Sequence, residues 1–181
     1  MESQRSDSTT DSTWQARVDE VWEDASASEQ EVLDRITALA SELPAEDPRG
    51  PFELGGANDS AGNEHAAAEL YERAIELGLT GESRAALDIQ YASTLRNLDR
   101  TDEAIAVLEH SPRSTELGAA PDAFLALALH SAGRTGDALA VALEALIPFL
   151  PKYHRSLTGY AAELRLDGDR LERRAAGDTD T

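Results

Sequence analysis

Apolar residues recur at helical spacing along almost the whole chain. Val32, Leu33, Ile36, Leu39, Ala40 and Leu43 stand mostly three or four positions apart, which places them on one stripe of a helix. Ser28, with Glu31 three residues later, predicts a capping box at the start of that helix. Upstream, Trp14, Val18, Val21 and Trp22 share one side of a shorter helix expected from Thr13 to about Glu23, with Ser12 and Gln15 as its caps. Asp47-Pro48 predicts an N-cap followed by proline at the first helical position. Thr80, Thr101 and Thr135 mark further starts, Pro121 opens another helix, and Pro151 opens the last one, through about Leu166. No alternating strand pattern of useful length occurs, and Gly and Pro fall mostly between the periodic segments. The expected fold class is all-α.

Three segments superpose. Their turn residues are Gly62, Asp99 and Gly133, separated by 37 and then 34 positions, and Ala67, Ala104 and Ala138 keep the same offsets behind them. A helix–turn–helix unit recurring near 34 residues is a solenoid pattern. Small residues at the crossing points let two helices approach, while Leu54, Tyr71, Leu95, Leu108, Leu125 and Leu129 fill the space between them. One such unit cannot bury its own apolar face, so units stack and the end faces need covering.

On these residues the chain resembles the tetratricopeptide repeat (TPR) family. Leu54-Gly55, Gly62, Ala67, Tyr71 and Ala74 match its pattern in the first unit. Tyr91-Ala92, Leu95, Ala104 and Leu108 match more loosely in the second, and Leu125-Ala126, Leu129, Gly133, Ala138 and Ala145 match in the third. The family's early Trp is missing from all three units, Asp99 stands where Gly is usual, and Ser111 replaces the last Ala of the second. The whole chain is also similar to small bacterial TPR-domain proteins, a group of largely unassigned activity. The resemblance implies a right-handed α-solenoid of three helix pairs with capping helices at both ends. The expected organisation is a disordered tail over 1–12, N-terminal helices over 13–47, repeats over 48–84, 85–118 and 119–151, a capping helix over 152–167 and a flexible tail over 168–181.

Charge narrows the function. The chain has 35 acidic and 16 basic side chains, net −19, and no Cys. Such a surface repels phosphate backbones and anionic lipid, so nucleic acid and membrane are not expected partners. The acidity is uneven, from net −8 over residues 14–47 to net +2 over 152–166. The first residues are rich in Ser, Thr and Asp without an apolar run, and no stretch approaches the ~18 apolar residues of a membrane span. A cytoplasmic protein is the expectation. His65, His110, His130 and His154 form no metal-ligand spacing. Gly55-Gly56 and Gly62 follow no strand, so they read as helix and turn residues and not as a phosphate loop. Asn58-Asp59-Ser60 fits a glycosylation acceptor only by coincidence, and Asp19, Glu20, Glu23 and Asp24 read as a solvated helix face. No enzyme motif, cofactor or metal site is indicated.

The second unit's first helix carries the best candidate site. Leu87, Tyr91, Leu95 and Leu98 form its apolar stripe, and Gln90, Ser93 and Asn97 occupy a separate arc with Arg96 beside it. The resemblance implies that first helices line a concave groove that receives an extended peptide, helped by His130 and Arg155 from later units. Amide side chains can meet both peptide N–H and C=O groups, and the Arg96 fork suits a carboxylate. The family's carboxylate clamp is not reproduced, because Phe52, Ile89 and Ala123 stand where its Lys is expected. The third unit's first helix is apolar nearly all round, so Phe124 and Leu127 are expected to be covered by the terminal helices, or else by a partner. The expected function is a non-enzymatic scaffold or adaptor that binds another protein or peptide. The rival is a self-associating module, a homodimer, whose groove is filled by its own helices or a second copy.

Overall fold

The computed structural model describes the backbone of residues 3–112 and 114–175 and the side chains of 13–112 and 114–166. The described residues contain α-helices and one 3-10 turn and no strand. The side chains of the two expected tails, 1–12 and 168–181, lie outside the described residues. The contacts divide the chain after Leu79 into two units.

The first unit contains α1 (Ser3–Glu23), α2 (Glu29–Ala40), α3 (Arg49–Ser60) and α4 (Glu64–Glu76). The predicted capping box forms: Ser28 Oγ accepts the Glu31 amide, and the Glu31 carboxylate accepts the Ser28 amide at 2.9 Å. α1 begins before the expected Thr13. At α3 the proline shifts by one position. Pro48 is the N-cap, Arg49 is the first helical residue, and Asp47 accepts the Arg49 amide at 3.1 Å. The core joins Trp14, Val18 and Val21 of α1 to Ile36 and Leu39 of α2 and Ala57 of α3. Trp14 Nε1 donates to the Leu39 carbonyl at 2.9 Å, so the buried indole leaves no orphan donor. Trp22, grouped with this stripe in the sequence, is partly exposed, and its Nε1 donates to Glu53 at 2.8 Å. Neighbouring helices pack in chain order, α1 on α2, α2 on α3 and α3 on α4.

The second unit contains α5 (Gly81–Asn97), α6 (Thr101–His110), α7 (Ala120–Ser131), α8 (Thr135–Leu146), the 3-10 turn Ile147–Phe149 and α9 (His154–Ala175). Pro121 stands at the start of α7 as expected, but Pro151 opens no helix, since α9 begins three residues later. Packing again follows chain order, and α5 also lies against α7.

The three helix pairs α3/α4, α5/α6 and α7/α8 share one turn. Gly62, Asp99 and Gly133 adopt φ of 76°, 60° and 80°. The next residue's amide closes onto a carbonyl five positions back: Asn63 to Asn58 at 2.8 Å, Arg100 to Leu95 at 2.9 Å and Arg134 to Leu129 at 2.9 Å. This closure satisfies carbonyls that the helix end would otherwise orphan. Ala67, Ala104 and Ala138, at the same offset behind these turns, are all buried.

Candidate interaction site

The predicted site residues fall into two groups. Gln90, Ser93, Arg96 and Asn97 lie together on α5, the first three half-buried and Asn97 exposed. Leu87, Tyr91 and Leu95 of the apolar stripe are buried, and so are Asp88, Ile89, Ala92 and Thr94, so burial on α5 reaches well beyond that stripe. Arg96 Nη2 donates to Asn97 Oδ1 at 3.3 Å. His130 is exposed on α7, Phe124 is half-buried one turn and a half earlier, and Arg155 is exposed in the first turn of α9.

His130 belongs to a feature that the sequence pattern only half announced. An open groove of about 720 Å³ runs between α7 and α8, lined by Ala123, Leu127 and His130 on one side and Leu139, Ala142 and Leu146 on the other, with Phe149 at one end. Leu127, Leu139 and Leu146 are 49%, 48% and 48% exposed, and Phe149 is 71% exposed. Among the described residues no Asp, Glu, Lys or Arg lines it. Exposed apolar residues in a row mark interaction surfaces more than isolated ones do. Of the covers expected for Leu127 (the N-terminal helices, the C-terminal helix or a partner), the C-terminal helix does not supply one. α9 packs on α8 and the 3-10 turn, and among the described residues none from α9 lines the groove. Phe124 and Arg155 do not line it either. Leu139, Leu146 and Phe149 were absent from the sequence-derived site; the available signal was the apolar run through α8.

Several other charged groups are engaged structurally. Arg100 pairs with Glu103 at 2.8 Å, and 34 residues later Arg134 pairs with the buried Asp137 at 2.7 Å. Arg84 pairs with Asp88, which is fully buried, at 2.7 Å. In the first unit, hydrogen bonds from Ser26 and then Arg35 hold the Asp24 carboxyl down at about 2. Burial pushes Glu53 above the ordinary carboxylate range, against the hydrogen bonds from Trp22 and Gln15, and the charge of Asp19 adds to the rise. Burial likewise raises the Tyr71 phenol. Among the described residues no group of three or more His, Asp or Glu is placed to hold a metal ion, and no helix is long and apolar enough to cross a membrane.

No curated protein matches the chain. A family model described as a tetratrico peptide repeat matches residues 48–164. That span begins beside α3 and runs through the three helix pairs into α9. Covering more than half of the chain and falling on helix pairs of the predicted register, it shows that the chain belongs to the tetratricopeptide repeat family.

Proposed function

We propose that this protein is a non-enzymatic interaction module, a scaffold or adaptor that binds a peptide or helix of another protein. Tetratricopeptide repeats generally mediate protein–protein interaction. The observation that carries the reading is the α7–α8 groove, where Leu127, Leu139, Leu146 and Phe149 stand exposed beside one another in a chain dense with charge. Burying such side chains releases roughly 25 cal/mol per Å² of apolar surface, and a few central anchors generally supply most of an interface's energy. In this reading the group on α5 supplies further polar contacts, because the Asn97 amide and the Arg96 fork can meet backbone carbonyls or a carboxylate of an extended segment.

The test uses the full chain and a Leu127→Ser/Leu139→Ser double variant as parallel baits, followed by titration of the captured partner. The parent is expected to retain a partner that the double variant loses, while both baits melt at about the same temperature. Arg96→Ala and Asn97→Ala are each expected to weaken binding by about 1 kcal/mol or more. A partner held equally by parent and double variant overturns the groove reading.

A further inference from the structure

The third helix pair carries open a surface that the second pair has covered. α7 packs on both α5 and α6. In that pair Ile89 and Ala92 of α5 and Ala104, Ile105 and Leu108 of α6 are buried. The residues 34 positions later are Ala123, Ala126, Ala138, Leu139 and Ala142, and all five line the α7–α8 groove. Ala138 is buried, whereas Ala123, Leu139 and Ala142 are exposed. The groove is therefore the seat of a following first helix. α9 does not take that seat, because it lies on α8 with Ala161 buried and Arg165 paired to Glu144 at 2.6 Å.

From this register we infer that the α7–α8 groove receives an amphipathic helix of another protein, seated as α7 is seated on α5 and α6, with a cationic outer side. The inference rests on the interaction reading above and narrows its partner. α7 and α8 have 12 residues each, so the seat accepts about three turns, ~18 Å, of a helix. A helix with apolar residues at i, i+3 or i+4, and i+7 presents the stripe this groove needs. Among the described residues no Asp, Glu, Lys or Arg lines the groove, so a charged residue buried there would find no ion-pair partner among them. Residues 80–181, the unit that holds the groove, carry 16 acids against 11 bases, net −5, which favours a ligand whose solvent side carries Lys and Arg. A second copy brings another −19, so charge disfavours self-association through this groove.

The chain has no Cys, so Leu139→Cys in the full protein takes a single environment-sensitive dye. The probes are two synthetic helices of about 15 residues with the same Leu/Ala stripe, one with Lys and the other with Glu on the outer side. The Lys helix is expected to shift the dye emission, gain helicity and bind at least tenfold more tightly than the Glu helix. Leu127→Asp is expected to weaken it at least tenfold, and Leu166→Ser on α9 to leave it unchanged. Should Leu127→Asp not fold, Leu127→Ala serves, with a two- to fivefold loss expected. Equal binding of both helices, or binding indifferent to Leu127, overturns the inference. So does a dye shielded without peptide, by a dimer in sedimentation or by the chain's own helix at every concentration. Failure of both helices while a natural partner is still captured through Leu127 and Leu139 removes the helix assignment alone; loss of that capture as well removes the interaction reading.

Discussion

Gly55 lies in the middle of α3, where glycine costs about 0.5–1 kcal/mol relative to alanine. Its neighbour explains it. A β-carbon there would lie 2.5 Å from Cε1 of the buried Tyr71 ring, so the glycine lets α4 approach α3. Gly55→Ala is expected to destabilise by about 1–3 kcal/mol in denaturant titration, opposite to the gain that helix propensity alone predicts. Gly50, whose β-carbon would meet nothing closer than 3.9 Å, is the control and should accept alanine without loss. Glu53 gives a pH signature in the same region. Its native pKa is raised, chiefly by burial, so its protonated form favours the fold and that contribution is lost as pH rises through the native value. Glu53→Gln keeps an oxygen for Trp22 Nε1 and removes the buried charge. The variant is expected to melt higher than the parent at pH 7 and to lose that advantage below about pH 4. An advantage that persists unchanged at low pH would locate the effect elsewhere, in repulsion from the remaining acids.

Helix elements were legible where a single local signal decides them. The Ser28 capping box and the left-handed turns at Gly62, Asp99 and Gly133 depend on four to six neighbouring residues, and each forms where the sequence places it. Pro151 was misread because a proline is equally at home in the bend before a helix; the chain turns through Tyr153 at φ 72° before α9 starts. Trp22 was misread because its indole also carries a donor, and the buried Glu53 offers that donor an acceptor at 2.8 Å while part of the ring stays exposed. The repeat register itself is open to test at Ala104, fully buried in α6. Ala104→Leu inserts three carbons into that packing and is expected to destabilise by roughly 1–3 kcal/mol. A thermal melt identical to the parent's would mean that the crossing lies elsewhere on α6.

At the scale of the whole molecule, the sequence identified an all-apolar α7 but not what covers it. Covering depends on where α9 packs, and its stripe of Leu157, Ala161 and Leu164 is compatible with more than one neighbour until Arg165 meets Glu144. The groove thus emerges from packing, while the charge of the chain was legible from the start. Residues 1–79 hold 19 acids and five bases, and residues 80–181 hold 16 acids and 11 bases, so both units are acidic and the first strongly so. Charge of this kind acts at a distance and speeds encounter, whereas an uncharged groove acts only on contact and slows release. The two contributions should therefore separate in kinetics. For a partner bound through a cationic helix, the association rate is expected to fall several-fold as salt rises from about 50 to 500 mM, because the Debye length shrinks below ~5 Å. Leu139→Ala is expected to leave that rate nearly unchanged and to raise the dissociation rate, the usual route by which a lost apolar anchor weakens a complex. Stopped-flow or surface-plasmon measurements across the salt series read both numbers. An association rate indifferent to salt would remove the steering role of the acidic surface, and a dissociation rate indifferent to Leu139→Ala would move the contact off the α7–α8 groove.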